Sequence, residues 1–309
     1  MENTNIEKKA KIVSFINMKG GVAKTTLCKE LGVNIAGLNP ESEPKKILFI
    51  DLDPQSNLTQ SLFEVYDVIK EDDQESLEGV TKRLKELPSI NNLFNNKAIT
   101  EPPSKDSLIL NLSDNIDIIP GSLNSVFYGT ANNGDNEQAL HNFIKHQKLR
   151  KSYDFIFIDC PPTYSLYTIS AILASDYYSI PVKPEAYSAL GIDLLEEVIA
   201  KIKQSYSDTF EIKPLSNIGI IFTKYEKTSS GETKIKNQIT TSKHLENIYK
   251  FTNYFPFRNK LATVKLGYLI SNSTDTNLID SLTGITKEFI ERIDELDEIR
   301  NEQARDARP

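Results

Sequence analysis

Lys19 and Lys24 bracket a run of small residues in NMKGGVAKTT, residues 17 to 26. Backbone N–H groups of such a turn, at the start of a helix, form a cradle for phosphate. Lys24 is placed to reach the β- and γ-phosphates of a nucleotide, and the Thr25 hydroxyl to coordinate Mg²⁺. Gly20 and Gly21 let the main chain approach an anion in conformations that a Cβ would obstruct. Val22, Ala23 and Thr26 complete the loop. A P-loop of the GxxxxGKT kind has no use for Lys19, which should project from the loop's outer edge; a second protomer is its expected target.

Such a loop needs a strand before it and acids beside it. The apolar run Ile12-Val13-Ser14-Phe15-Ile16 supplies the strand, and the stretch after Lys24 reads as an amphipathic helix. Two further runs, 47-ILFIDLDPQSN-57 and 155-FIFIDCPP-162, read as buried strands that end in aspartates. In an open parallel sheet, ligands bind at the C-terminal edge, so the loop and both acidic strand ends converge on one crevice. Asp159 is placed to hold Mg²⁺ directly or through a water. Asp53, ahead of Pro54, opens a loop that can orient or deprotonate an attacking water, and Asp51 organises the Mg²⁺ shell and that loop. One aspartate at a strand end is usually a cap or turn residue. Three such coincidences in chain order make nucleotide binding the stronger reading.

KGGVAKTT, IDLDPQSN and FIDCPP together resemble the three motifs of the ParA family of partition ATPases, within the deviant Walker-A group that also holds MinD. The likeness extends through 116-IDIIPGSL-123, 180-IPVKPEAYSALGIDLLEEV-198 and 218-IGIIFTKY-225, from about residue 11 to residue 290. It implies a P-loop NTPase fold, a three-layer α/β sandwich with a mostly parallel twisted sheet. It also implies ATP and Mg²⁺ as cofactors, and an ATP-sandwiched homodimer in which Lys19 crosses to the partner's phosphates. Lys24, Thr25 and Thr26 match the phosphate and Mg²⁺ contacts, and Asp53 the acid required for hydrolysis. Ala23 stands where glycine is commoner, which near-helical dihedrals would tolerate. Phe255-Pro256-Phe257-Arg258 stands where the family has Ile-Pro-Arg-Asn, which gives Pro256 an adenine-side role; by the same alignment Lys260 falls where the family has an arginine used for DNA.

The 309 residues, 39% hydrophobic, suffice for one large α/β domain spanning 1–309. Residues 64–114, acidic at first and then rich in Asn and Pro, read as a helical excursion on the sheet's edge. Ile285, Phe289, Ile293, Leu296 and Ile299 lie on one face of a C-terminal helix over about 284–303. Cys28 and Cys160 offer neither a disulfide framework nor a metal pair, which argues against the iron–sulfur relatives of the fold. No apolar run approaches the ~20 residues of a membrane span, and the polar start has no signal-peptide core, so a cytoplasmic protein is expected.

The formal net charge is −7, yet residues 201–265 hold twelve Lys/Arg against five Asp/Glu, a local balance of +7. Lys224, Lys227, Lys234, Lys236, Lys243, Lys250, Arg258, Lys260 and Lys265 are therefore candidates for a non-sequence-specific DNA face. From residue 266 onward ten acids face five Lys/Arg, which disfavours a MinD-like lipid-binding tail. With sixteen residues before Asn17, the chain should resemble the small Soj-like type, which lacks an N-terminal helix-turn-helix. The expectation is a nucleoid-associated partition ATPase with slow turnover, released from DNA by a ParB-type centromere-binding protein or a cargo adaptor. A small-molecule ligase of the same fold is the alternative; DNA-stimulated ATPase activity without added metabolite separates the two.

Overall fold

Strands β1 (Lys11–Phe15), β2 (Ile47–Asp51), β4 (Ile116–Ile119), β5 (Phe155–Asp159) and β6 (Tyr177–Val182) are almost wholly buried. With β3 (Leu110–Ser113) and β7 (Ser216–Phe222) they form one sheet in the order β3-β4-β2-β5-β1-β6-β7. All neighbours run parallel except β3, which pairs antiparallel with β4 at the edge. A computed structural model describes residues 9–37, 44–68, 86–94, 103–122, 134–258 and 267–306.

Alternation along these strands loads both faces. Ile12, Leu48, Ile50, Ile156 and Ile158 point to one core, with Ile192, Leu195, Ile199 and Ile202 of helix Ser188–Ser205 and apolar residues of helices Ala139–His146 and Leu166–Ala174. Val13, Phe15, Ile47, Phe49 and Phe157 point to the other, under helices Lys24–Gly37 and Thr276–Asp306. Sheets buried on both faces carry near-continuous apolar strands, which is why these runs were legible. Phe157 anchors the second core, its ring 5.2 Å from that of Phe15 and 5.7 Å from that of Phe289. The three-layer α/β sandwich expected from the motifs is the one formed.

Two expected boundaries differ. The excursion at 64–114 is not simply helical: it ends in β3, whose Leu110 and Leu112 pack toward the second core while Asn111 faces solvent. An antiparallel edge strand needs only one apolar face, so its pattern is weak. Residues 69–85 and 95–102, including most of the acidic segment, lie outside the described residues. The C-terminal helix begins at Thr276, about eight residues earlier than expected, because Leu278 and Leu282 extend the buried stripe of Ile285, Phe289 and Ile293 backward. Ile299 is 44% exposed, so the stripe leaves the core before the helix ends. Cys28 and Cys160 are free and buried, as their scarcity suggested. Among the described residues no helix is long and apolar enough to cross a membrane.

Candidate nucleotide site

β1 lies inside the sheet, between β5 and β6, and its C-terminal end runs straight into the glycine turn. Asn17 pins the turn: its amide donates to the Pro181 carbonyl at 2.8 Å, and its Oδ1 accepts from the Lys19 N–H at 2.8 Å. The Thr223 hydroxyl, just past β7, holds the far side by donating to the Val22 carbonyl at 2.7 Å. Gly21 takes φ +73°. Ala23 takes φ +62°, so the near-helical dihedrals expected for it are helical with the wrong hand. Left-handed backbone costs a Cβ-bearing residue about 1–2 kcal/mol, which is the physical reason glycine suits this position. Leu27 N–H bonds to the Ala23 carbonyl at 2.9 Å, so the helix starts on that strained residue.

Lys24 is buried, and its ammonium bridges back across the loop to the Lys19 carbonyl at 3.2 Å. Burial lowers its pKa, against the pull of Asp159 and Asp53. A cation held this way, over the glycine turn, is poised for an anion. Lys19 points elsewhere: its Nζ lies 2.6 Å from Glu185 Oε1 and 3.3 Å from the Ala186 carbonyl, on the segment after β6. Glu185 is shared with Lys183 at 2.8 Å, and these two lysines hold its carboxyl below the usual range.

The acids form a graded set. Thr25 donates its hydroxyl to Asp159 Oδ2 at 2.6 Å, while the buried Oδ1 of Asp159 has no protein partner. Burial, and then the charge of Asp51, push Asp159 well up. Asp51 is fully buried, with both oxygens engaged: Oδ2 accepts from the Thr59 N–H at 2.9 Å and hydroxyl at 2.7 Å, and Oδ1 from the Asp53 N–H at 3.2 Å. Burial pushes its pKa up to about 7 despite these bonds. Gly121 closes over it: its N–H donates to the Thr59 hydroxyl at 2.8 Å, and a Cβ there would stand 2.9 Å from the Asp51 carboxyl carbon. Asp53 accepts from the Gln55 N–H at 2.9 Å and faces the cleft.

That cleft, about 470 Å³, is lined by every residue from Gly20 to Thr26 together with Asp53. Asp51 and Asp159 lie beneath its floor. Its far wall was not foreseen. Lys29 and Glu30, adjacent on the P-loop helix, form a buried ion pair at 3.1 Å. Lys29 Nζ also donates to Ser61 Oγ at 3.1 Å and to the Tyr268 carbonyl at 2.5 Å, and Glu30 Oε2 accepts from the Ile270 N–H at 2.9 Å. Two adjacent charged residues in an amphipathic helix carry no signal of burial, and their partners lie far along the chain: Ser61, then Tyr268 and Ile270, the last two more than two hundred residues away. Glu185 and Gly121 escaped for the same reason.

Other predicted residues are not in the cleft. Pro256 pairs with Tyr225 and lines a separate polar cavity of about 610 Å³ with Lys227 and Arg258. Arg258 is paired with Asp275 at 2.6 Å. Lys236 sets its ammonium 5.1 Å from the Phe222 ring centroid and 5.6 Å from that of Tyr225. Lys227, Lys234 and Lys243 are exposed, and Lys224 lines the nucleotide cleft instead. Lys260 and Lys265 lie outside the described residues.

A family model described as an AAA domain matches residues 10–212. An uncharacterized protein of Methanocaldococcus jannaschii is 31% identical over 231 residues, covering 74% of this chain and 78% of its own length. The chromosome-partitioning ATPase Soj of Treponema pallidum is 27% identical over 233 residues, covering 75% and 78%. Among solved structures, a plasmid partition protein from Borrelia burgdorferi bound to AMPPNP superposes with a TM-score of 0.67 at 22% identity, covering 92% of this chain and all of that one.

Proposed function

The chain belongs to the ParA family of partition ATPases, and from that premise we propose that it is an ATP-driven switch in which two copies enclose nucleotide, hold DNA without reading its sequence, and release it on hydrolysis. Lys24 and the Gly20–Thr26 main chain take the β- and γ-phosphates. Thr25 and Asp159 would hold Mg²⁺, for which the buried, partnerless Asp159 Oδ1 is a fitting ligand. Bound there, the ion neutralises charge on the phosphates. Asp53 orients the attacking water, and Asp51, clamped by Thr59 and Gly121, fixes the loop that carries Asp53 and organises the Mg²⁺ shell through it. Pro256 would take the adenine side from the separate cavity that it lines.

The observation that carries the dimer is the direction of Lys19, which leans out of its own cleft onto Glu185. The helix that follows Glu185 exposes an apolar stripe, with Tyr187, Leu190 and Leu194 at 82%, 53% and 49% exposure. Three apolar side chains in solvent beside the loop suit burial by a second copy. Paired copies would also combine two weak basic faces, Lys227, Lys234, Lys236, Arg258, Lys260 and Lys265 on each, into one avid DNA surface. In the cell such a switch works in the cytoplasm on the nucleoid, with a ParB-type protein or cargo adaptor accelerating hydrolysis.

The test is light scattering and binding to random-sequence duplex DNA with no nucleotide, ADP, or ATP and Mg²⁺, at two salt concentrations. Wild type should dimerise and bind DNA with ATP alone, more weakly at high salt. Lys19→Ala should bind ATP and stay monomeric, and Asp53→Ala should dimerise without hydrolysing. DNA binding that ignores nucleotide, or full hydrolysis by both variants, overturns the reading.

A further inference from the structure

At the opposite edge of the sheet, where β1, β5 and β6 begin, lies a second cavity of about 430 Å³. Five-residue strands place it roughly 15 Å from the nucleotide cleft. Its walls come from distant segments: Lys9 and Ile12 around the start of β1, Ile144 and Lys145 on helix Ala139–His146, Lys148 in the turn that follows, and Lys213 ahead of β7. Arg150, Lys151 and His141 complete its polar part. No carboxylate lines it among the described residues.

The acid that pairs with Arg150 is already engaged. Asp176 takes the Arg150 guanidinium through both oxygens, at 2.7 and 2.8 Å, and the Ile12 N–H at 3.1 Å. Lys213 Nζ reaches a neutral acceptor, the Ser175 carbonyl, at 2.6 Å. The excess positive charge shows in its neighbours: burial, then Lys213, Arg150 and Lys145, hold His141 down at about 4. The imidazole is therefore neutral and adds no further cation. Ile12, Ile144, Ala174 and Ile212 make the rest of the wall apolar, and Ile212 is 88% exposed at the mouth.

We propose that this cavity is a second ligand site, independent of the nucleotide cleft, for a small molecule that carries a phosphate on an apolar or aromatic body. Its volume and mixed lining match small-molecule pockets, which are mostly apolar with a few convergent polar groups. Several lysines around one concave point suit a dianion, because ammonium groups bind phosphate as point charges. A duplex presents its phosphates along a convex ridge and meets exposed cations, whereas Lys213 lies inside the cavity. The body of the ligand packs against Ile212 at the mouth, and its phosphate lies on Lys213, Lys145 and Lys148.

The probes are phenyl phosphate, inorganic phosphate and phenol, titrated calorimetrically into the full chain with its nucleotide cleft filled by a non-hydrolysable ATP analogue and Mg²⁺. Phenyl phosphate should bind saturably, inorganic phosphate and phenol more weakly. Lys213→Met should weaken phenyl phosphate about tenfold or more, the worth of a charge-assisted hydrogen bond. The surface variant Lys145→Ala/Lys148→Ala, which leaves the core untouched, should do likewise, and neither should change affinity for the ATP analogue. No saturable binding to wild type, or equal binding to wild type and both variants, overturns the proposal. Displacement of phenyl phosphate by random duplex DNA, with a salt dependence lost in Lys145→Ala/Lys148→Ala, also overturns it and makes this edge a nucleic-acid face.

Discussion

Replacing Lys213 by methionine should stabilise the ligand-free protein near neutral pH and destabilise it at pH 10. Burial, opposed in part by Asp176, lowers the lysine's pKa from 10.5 to about 7. A base whose folded pKa is depressed favours folding only when neutral. Between pH 7 and 10.5 the unfolded chain holds a proton that the folded chain lacks, so the wild type gains stability from this group as pH rises through that window. At pH 7 the full shift corresponds to a penalty of roughly 4 kcal/mol. The residue keeps part of its solvent exposure, which halves this to about 2 kcal/mol. Methionine fills the space without the charge but leaves the Ser175 carbonyl without its donor, at a cost of about 1 kcal/mol. The net is a gain of about 1 kcal/mol at pH 7 that turns into a loss of about 0.5 kcal/mol at pH 10. Urea unfolding of both proteins at the two pH values reads this directly, since groups uncoupled from Lys213 cancel in the difference, and His141, held down at about 4, and Asp176, held below the usual carboxylate range, keep one charge state at both. A variant-minus-wild-type difference that is flat with pH would refute the burial argument, whatever its sign.

Three further outcomes follow from the cleft. Ala23→Gly removes a left-handed Cβ and should add about 0.5–1 kcal/mol after the entropy of an unfolded glycine is subtracted; Ala23→Val should lose stability, and urea midpoints at constant slope decide between them. Glu185→Gln breaks the half-exposed Lys19 pair, worth about 0.2–1 kcal/mol, so the ATP concentration at half-maximal dimerisation should fall roughly 1.5- to 5-fold; an unchanged midpoint means that Lys19 is not held back by this contact. Lys29→Met strands Glu30, a residue 2% exposed whose carboxyl burial already pushes up. It should cost about 3–5 kcal/mol at pH 7.5, and the loss should shrink as pH falls and Glu30 takes a proton, measured by thermal unfolding across pH 5 to 8.

The nucleotide cleft was legible in the chain because its parts are local. A strand, a turn of small residues and a helix set the loop within ten residues, and the acids sit at the ends of strands whose apolar runs announce them. Both faces of the sheet were equally plain, since a doubly buried strand is apolar throughout. What escaped was decided by which strand lies beside which. The hand of the Ala23 backbone follows from loop closure between Pro181 and Thr223, not from its neighbours in sequence. The clamp on Asp51 needs Thr59, from the helix just after β2, and Gly121, brought over it by the pairing of β2 with β4. Lys29 and Glu30 look like solvent-facing charges until the segment at 268–270 covers them. The cationic cavity exists because the sheet order sets β5, β1 and β6 side by side, which gathers Lys9, Lys145, Lys148 and Lys213 at one edge. Backbone propensity and periodicity act over a few residues and so are written in the chain; charge neutrality and cavity walls are sums over the packed whole, and only the folded arrangement fixes them.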